Sequence, residues 1–205
     1  LIVFAIVFID LFHVNKRYID KELFIDKSYN TYQMNELDKE ILLDTTDYRV
    51  FNVAAGLSNA SSSYFHNSIN GYHAAKLRRF QEYYDYLSLH DNEKLLNSLN
   101  VKYLIAKDEN NEDQLYQNPD ALGNAWSVDS IITVDSADQL LIKLRDTDIS
   151  KVALFIDSSF PSSISKVYNS GDLVKIEKTK ISSSHITYEF ESLSDQLIVF
   201  SEIYY

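Results

Sequence analysis

The chain has 205 residues with no cysteine, four glycines and two prolines, and 19 Lys+Arg against 30 Asp+Glu give a net charge of −11. Without thiols there is no disulfide scaffold, thiolate metal site or cysteine nucleophile, and the sparse glycine and proline exclude collagen-like and Gly/Pro-rich disordered chains. The acidic balance argues against a nucleic-acid partner, whose phosphates need a surplus of cations, while 45% hydrophobic residues suffice for a real core.

Leu1 to Phe12 is apolar except for Asp10. As a helix it covers roughly 18 Å, a little over half of a ~30 Å hydrocarbon layer. It reads as the end of a transmembrane helix over residues 1–18, with His13, Lys16, Arg17 and Tyr18 at headgroup level; a buried strand is the alternative. Residues 19–48 are polar with scattered aromatics, and Glu36 to Leu43 fits a short helix. Asp47 to Val53 reads as a strand, and Asn59 to Ser63 as a polar loop. From Tyr72 to Leu87 the stripe Leu77, Phe80, Tyr84, Leu87 predicts an amphipathic helix, with Arg78 and Glu82 as an i,i+4 pair.

A second helix is expected over Asn92 to Leu99, then a strand over Val101 to Ala106. Asn124 to Val134 reads as a strand broken near Asp129. Asp135 or Ser136 caps a helix over Ala137 to Leu144, and Lys151 to Ile156 is another strand. From residue 172 the hydrophobic period becomes two, which predicts antiparallel β. The fold class expected is α+β: a small mixed α/β layer, then the start of an antiparallel β-sandwich, preceded by the end of a transmembrane helix. The domains are 1–18, 19–157 and 172–205, with a Ser- and Pro-containing loop (Ser158, Ser159, Pro161, Ser162, Ser163) between the last two. The apolar run at residue 1 and the strand pattern Leu197 to Tyr205 read as cut edges.

Four scattered glycines make no phosphate-cradling loop, and no nucleophile elbow is present. The five histidines lack metal-binding spacing, so neither metal nor cofactor is expected. The richest polar block is Ser61 to Arg79. Within it, His66, His73, Lys76, Arg78 and Arg79 form a local cationic cluster suited to a phosphate or carboxylate; the competing reading is that they serve local ion pairs and loop backbone. Aspartates at 129, 135, 138, 146, 148 and 157 have no spacing that selects a catalytic pair. Pro119, Gly123 and Trp126 lie in a compact turn, where Trp126 reads as a structural anchor.

Several blocks together resemble the YfhO family of bacterial polytopic membrane proteins, of the Bacteroidetes type. They are Tyr48 to Asn52, Ser63 to Glu82, Leu99 to Ile105, Asn118 to Trp126 and Phe200 to Tyr205. The resemblance implies an extracytoplasmic accessory domain of a protein like polyprenyl-phosphate-sugar-dependent glycosyltransferases. It places the domain at the bacterial cytoplasmic membrane, with the bilayer at residues 1–18 and a polyprenyl-phosphate sugar or envelope glycan as partners. It also implies that the catalytic carboxylate lies outside these 205 residues, so no catalytic residue is assigned. The alternative is a structural or interaction domain of a non-enzymatic or transporter-like membrane protein. A third reading is a hydrolase using two aspartates.

Overall fold

The computed structural model describes all residues except 20, 25–31, 91, 158–160, 162–163, 183 and 203–205. Most of the expected loop before residue 172 and the last three residues of the terminal block lie outside the described residues. The chain divides into two compact units, Leu1–Met34 and Asn35–Tyr205.

The first unit carries helix α1 (Ile2–Tyr18) and a 3-10 turn at Lys21–Leu23. Lys16 and Arg17 occupy the last turn of α1, where cations favour the helix dipole. None of its residues is buried. Its 17 residues reach about 25 Å at ~1.5 Å per residue, short of a ~30 Å hydrocarbon layer. No helix among the described residues is long and apolar enough to cross a membrane. The expected transmembrane helix end over 1–18 is thereby corrected, and the fold-class expectation loses that element.

The second unit begins with α2 (Glu36–Ile41), fixed by a capping box. Asn35 Oδ1 accepts the Asp38 N–H at 2.8 Å, and Asp38 Oδ2 accepts the Asn35 N–H at 3.0 Å. Strand β1 (Arg49–Asn52) follows, then α3 (Ser61–Phe65), α4 (Arg78–His90) and α5 (Asn92–Ser98). These helices form the crossover that brings β2 (Val101–Lys107) parallel to β1. β3 (Asp113–Gln117) returns antiparallel to β2, giving the sheet order β1-β2-β3.

Adjacent residues of β1 face opposite sides of this sheet. Phe51 joins a core with Leu87, Leu95, Leu99, Val101 and Leu144 from the helices and strand ends. Val50 joins a second core with Ile41, Tyr48 and Ile105. In the β1–β2 register Arg49 pairs with Val101 but Val50 pairs with Tyr103. Lys102 is therefore an extra residue, and it shifts the parity of β2. Val101 and Leu104 pack with the first core, whereas Tyr103 and Ile105 pack with the second.

The remaining strands form pairs. β4 (Ala125–Val128) pairs antiparallel with β9 (Leu197–Phe200). β5 (Ser130–Val134), α6 (Ala137–Arg145) and β6 (Val152–Ile156) make a tight parallel crossover. β7 (Leu173–Ile181) and β8 (Ile186–Ser192) form a hairpin. In place of the start of one sandwich, the antiparallel elements after residue 120 are thus two separate two-stranded pairs.

Local chemistry explains most boundaries. The strand splits at Asp129 because its carboxylate accepts both the N–H and hydroxyl of Ser170. Ser136 caps α6 through the Gln139 N–H. Helix α4 starts at Arg78 rather than at the expected Tyr72. The His73 ring accepts the Ala75 N–H at 3.2 Å, a local bond that holds the backbone out of helix. Asn100 carries the positive φ of 54° between α5 and β2, and its side-chain amide donates to the Asp47 carbonyl. Arg49 joins the start of β1 to the region after β9, donating to the Ser201 carbonyl and pairing with Glu202 at 3.0 Å.

Candidate functional site

Two concavities adjoin the two cores of the second unit. The first is a polar hollow of about 390 Å³ whose wall includes Asp44, Thr46, Tyr48, Ser63, Tyr64 and His66. Asp44 sits after α2 and is fully engaged. It accepts the Thr46 N–H and hydroxyl at 2.8 and 2.7 Å and the Tyr103 hydroxyl at 2.8 Å, and Lys102 Nζ pairs with it. Lys102 first, then Thr46, holds its carboxyl well below the usual carboxylate range. The Tyr103 hydroxyl is pushed up to about 12, by burial first and then by its hydrogen bond to Asp44. Tyr48 is raised as well, by burial and the Asp44 charge, and donates to the Ile41 carbonyl at 2.8 Å.

Beside this network lies a buried dyad. His66 ends α3, and its Nε2 is 2.9 Å from Asp38 Oδ1. The His66 side chain is 0% exposed and that of Asp38 8%. Asp38 already spends its other oxygen on the α2 cap. A carboxylate only accepts, so Nε2 carries a proton, and in the neutral imidazole Nδ1 is then an acceptor. That Nδ1 is buried and has no hydrogen-bond partner.

The second concavity is a cleft of about 710 Å³ between α4, α6 and strands β4, β5, β6 and β9. Phe80, Trp126, Leu140, Ile149, Leu154 and Val199 are among its mostly apolar lining. Three charged residues line it: Arg79, Glu82 and Glu202. Glu82 pairs with Arg78 at 2.6 Å, and Glu202 with Arg49 at 3.0 Å. Arg79 has no ion-pair partner among the described residues. The Trp126 ring is half-buried, and its Nε1–H donates to the Ile149 carbonyl at 3.0 Å.

The five cationic-cluster residues thus go to different places. His66 lines the polar hollow and Arg79 the apolar cleft. Arg78 pairs with Glu82 while its side chain is 90% exposed. His73 shapes the turn before α4, and Lys76 is half-buried in the same segment. No concavity described here is lined by all five. Among the described residues no group of three His, Asp or Glu side chains is placed to hold a metal. Asp129, Asp146 and Asp148 each serve neighbouring groups: Ser170, Arg145 and Ser150.

Asp38, Asp44 and Lys102 did not stand out in the sequence as site residues. The spacing Asn35-x-x-Asp38 before an apolar run was a usable capping signal. Nothing local marks Lys102 as the partner of Asp44, which lies 58 residues away.

No family model, curated protein or solved structure matches the chain. Together with the length of α1, this overturns the resemblance to the YfhO family. The readings that depended on it fall with it: the glycosyltransferase accessory domain, the structural domain of a transporter-like membrane protein, the bilayer, polyprenyl-phosphate sugar and envelope glycan as partners, and the cytoplasmic-membrane localisation.

Proposed function

We propose that the second unit is a ligand-binding domain whose apolar cleft takes an amphiphile: an apolar body with one anionic end held by Arg79. The observation that carries this reading is the charge pattern of the cleft. Both of its carboxylates are already matched by arginines, so the guanidinium of Arg79 is its one uncompensated charge among the described residues. Arginine suits a carboxylate or phosphate because its planar fork donates two parallel hydrogen bonds. The volume of about 710 Å³ lies within the roughly 300–1,000 Å³ common for small-molecule sites. In this reading Trp126 is a structural anchor, since its indole N–H ties β4 to the segment before β6 and keeps one wall of the cleft in place.

The test is titration with lauric acid and, in parallel, with dodecanol, which has the same chain and no charge. Lauric acid is expected to saturate the native domain. Arg79→Ala should weaken it about 3–10-fold, the range for one partly solvated charged hydrogen bond, and leave dodecanol unchanged. Absence of saturable binding, or equal loss for acid and alcohol, would overturn the proposal.

A further inference from the structure

We infer that the polar hollow beside α3 is a second binding site, independent of the cleft, for a small neutral molecule that donates a hydrogen bond to His66 Nδ1. Three observations meet there. The dyad orients the imidazole, because Asp38 Oδ1 accepts the hydrogen bond of Nε2–H at 2.9 Å and is itself held by the α2 cap. The remaining ring nitrogen is a buried acceptor without a donor. The imidazole belongs to the wall of a hollow whose other groups include Thr45, Thr46, Ser63 and Asn67. A buried acceptor left unpaired is costly, and a ligand N–H or O–H would remove that cost on binding.

The charge of the hollow selects the ligand class. Asp44 is matched by Lys102 and by two further donors, Thr46 and Tyr103. With its imidazole neutral, the dyad presents an acceptor to its surroundings. A neutral carboxamide fits this pattern: its N–H groups suit Nδ1, and its carbonyl suits the side-chain amide of Asn67, since the Thr46, Ser63 and Tyr48 hydroxyls already donate to Asp44, Ala60 and Ile41. A metal ion fits poorly, since one imidazole nitrogen would be its only soft ligand and no cluster of three ligating side chains lies among the described residues. Nδ1 is closed off from solvent, so the ligand reaches it by shifting part of the wall. Tyr64, 57% exposed and edge-on to Phe65, is an outer ring of that wall.

The experiment follows the ring nitrogens by NMR in the full chain with 15N-labelled histidine, using acetamide as the probe. Acetamide is expected to move the His66 Nδ1 resonance saturably. N,N-dimethylacetamide, which keeps the carbonyl but has no N–H, should bind about 5–10-fold more weakly, the worth of one hydrogen bond to an otherwise unpaired acceptor. Acetate should leave the resonance unmoved. Ser63→Phe, at an exposed wall position, should block the acetamide response while the Nε2 resonance keeps its dyad shift. That variant serves should His66→Gln fail to fold. No response to acetamide, or an equal response to dimethylacetamide, overturns the inference. Neither outcome bears on the cleft, which is read out by lauric acid.

Discussion

The hollow and the cleft solve opposite problems within one compact unit. Around the hollow, each carboxylate is matched by several donors and one imidazole nitrogen is left over: Asp38 serves a helix cap and an imidazole, Asp44 serves a lysine, a threonine and a tyrosine, and His66 Nδ1 has no partner. Around the cleft, apolar side chains from α4, α6 and four strands leave space between them, and the charges lie in the lining as two matched carboxylates and one unmatched arginine. The hollow therefore stands on hydrogen bonds that are expensive to break singly. The cleft stands on packing that has room to spare.

The largest expected effect comes from breaking the dyad. Asp38→Ala removes a helix cap and leaves both His66 nitrogens unpaired in the interior, which should cost about 3 kcal/mol. Asp38→Asn retains an acceptor and should cost about 1 kcal/mol. Urea denaturation of the two variants measures the gap, and equal losses would show that the dyad adds nothing beyond the cap.

Acid titration probes the other carboxylate of the hollow. The carboxyl of Asp44 is lowered from 3.8 in the folded chain. Its contribution to stability is therefore full above that unfolded value and is lost as pH falls through the lowered folded one. Lys102→Met removes the first cause of the shift, so it should lower stability at neutral pH by about 1 kcal/mol and flatten the loss in acid. An unchanged acid limb would mean that Lys102 does not set the Asp44 charge.

In the cleft the same logic reverses sign. Ala153 lines the space and is only half-buried. Ala153→Leu should fill it, raising stability by up to about 1 kcal/mol while abolishing lauric acid binding. A destabilised variant would mean that the cleft is already as tight as its walls allow. Arg79→Ala should have the smallest effect on folding, within about 0.5 kcal/mol for an exposed residue, so that its consequence appears in ligand affinity alone.

Features set by neighbours in the chain were legible in advance. The cap at Ser136, one of two residues the sequence offered, follows from chemistry three residues on, whereas the break at Asp129 was legible as a place but its cause, Ser170, lies 41 residues away. The cationic block from His66 to Arg79 was legible as composition but not as a site. His66 closes α3 toward the interior, where its partner Asp38 lies 28 residues away, while Arg78 and Arg79 open α4 after a turn stabilised by His73. Proximity along the chain suggested one cluster, and the turn divides it. The apolar run of residues 1–12 misled through composition alone: its hydropathy is that of a membrane segment, but the helix it forms is too short to cross one.

The extra residue in β2 gives this sheet a phase. Before Lys102 an odd position turns toward one core, and after it an odd position turns toward the other. Deleting Lys102 would remove the bulge and leave Val101, Tyr103, Leu104 and Ile105 in strict alternation, each still on the side of the core it packs with. The same deletion would take away the cation of Asp44. The sheet can therefore spare Lys102 as a spacer but Asp44 cannot spare it as a counter-ion, whereas one further inserted residue would turn Tyr103 and Ile105 away from their core.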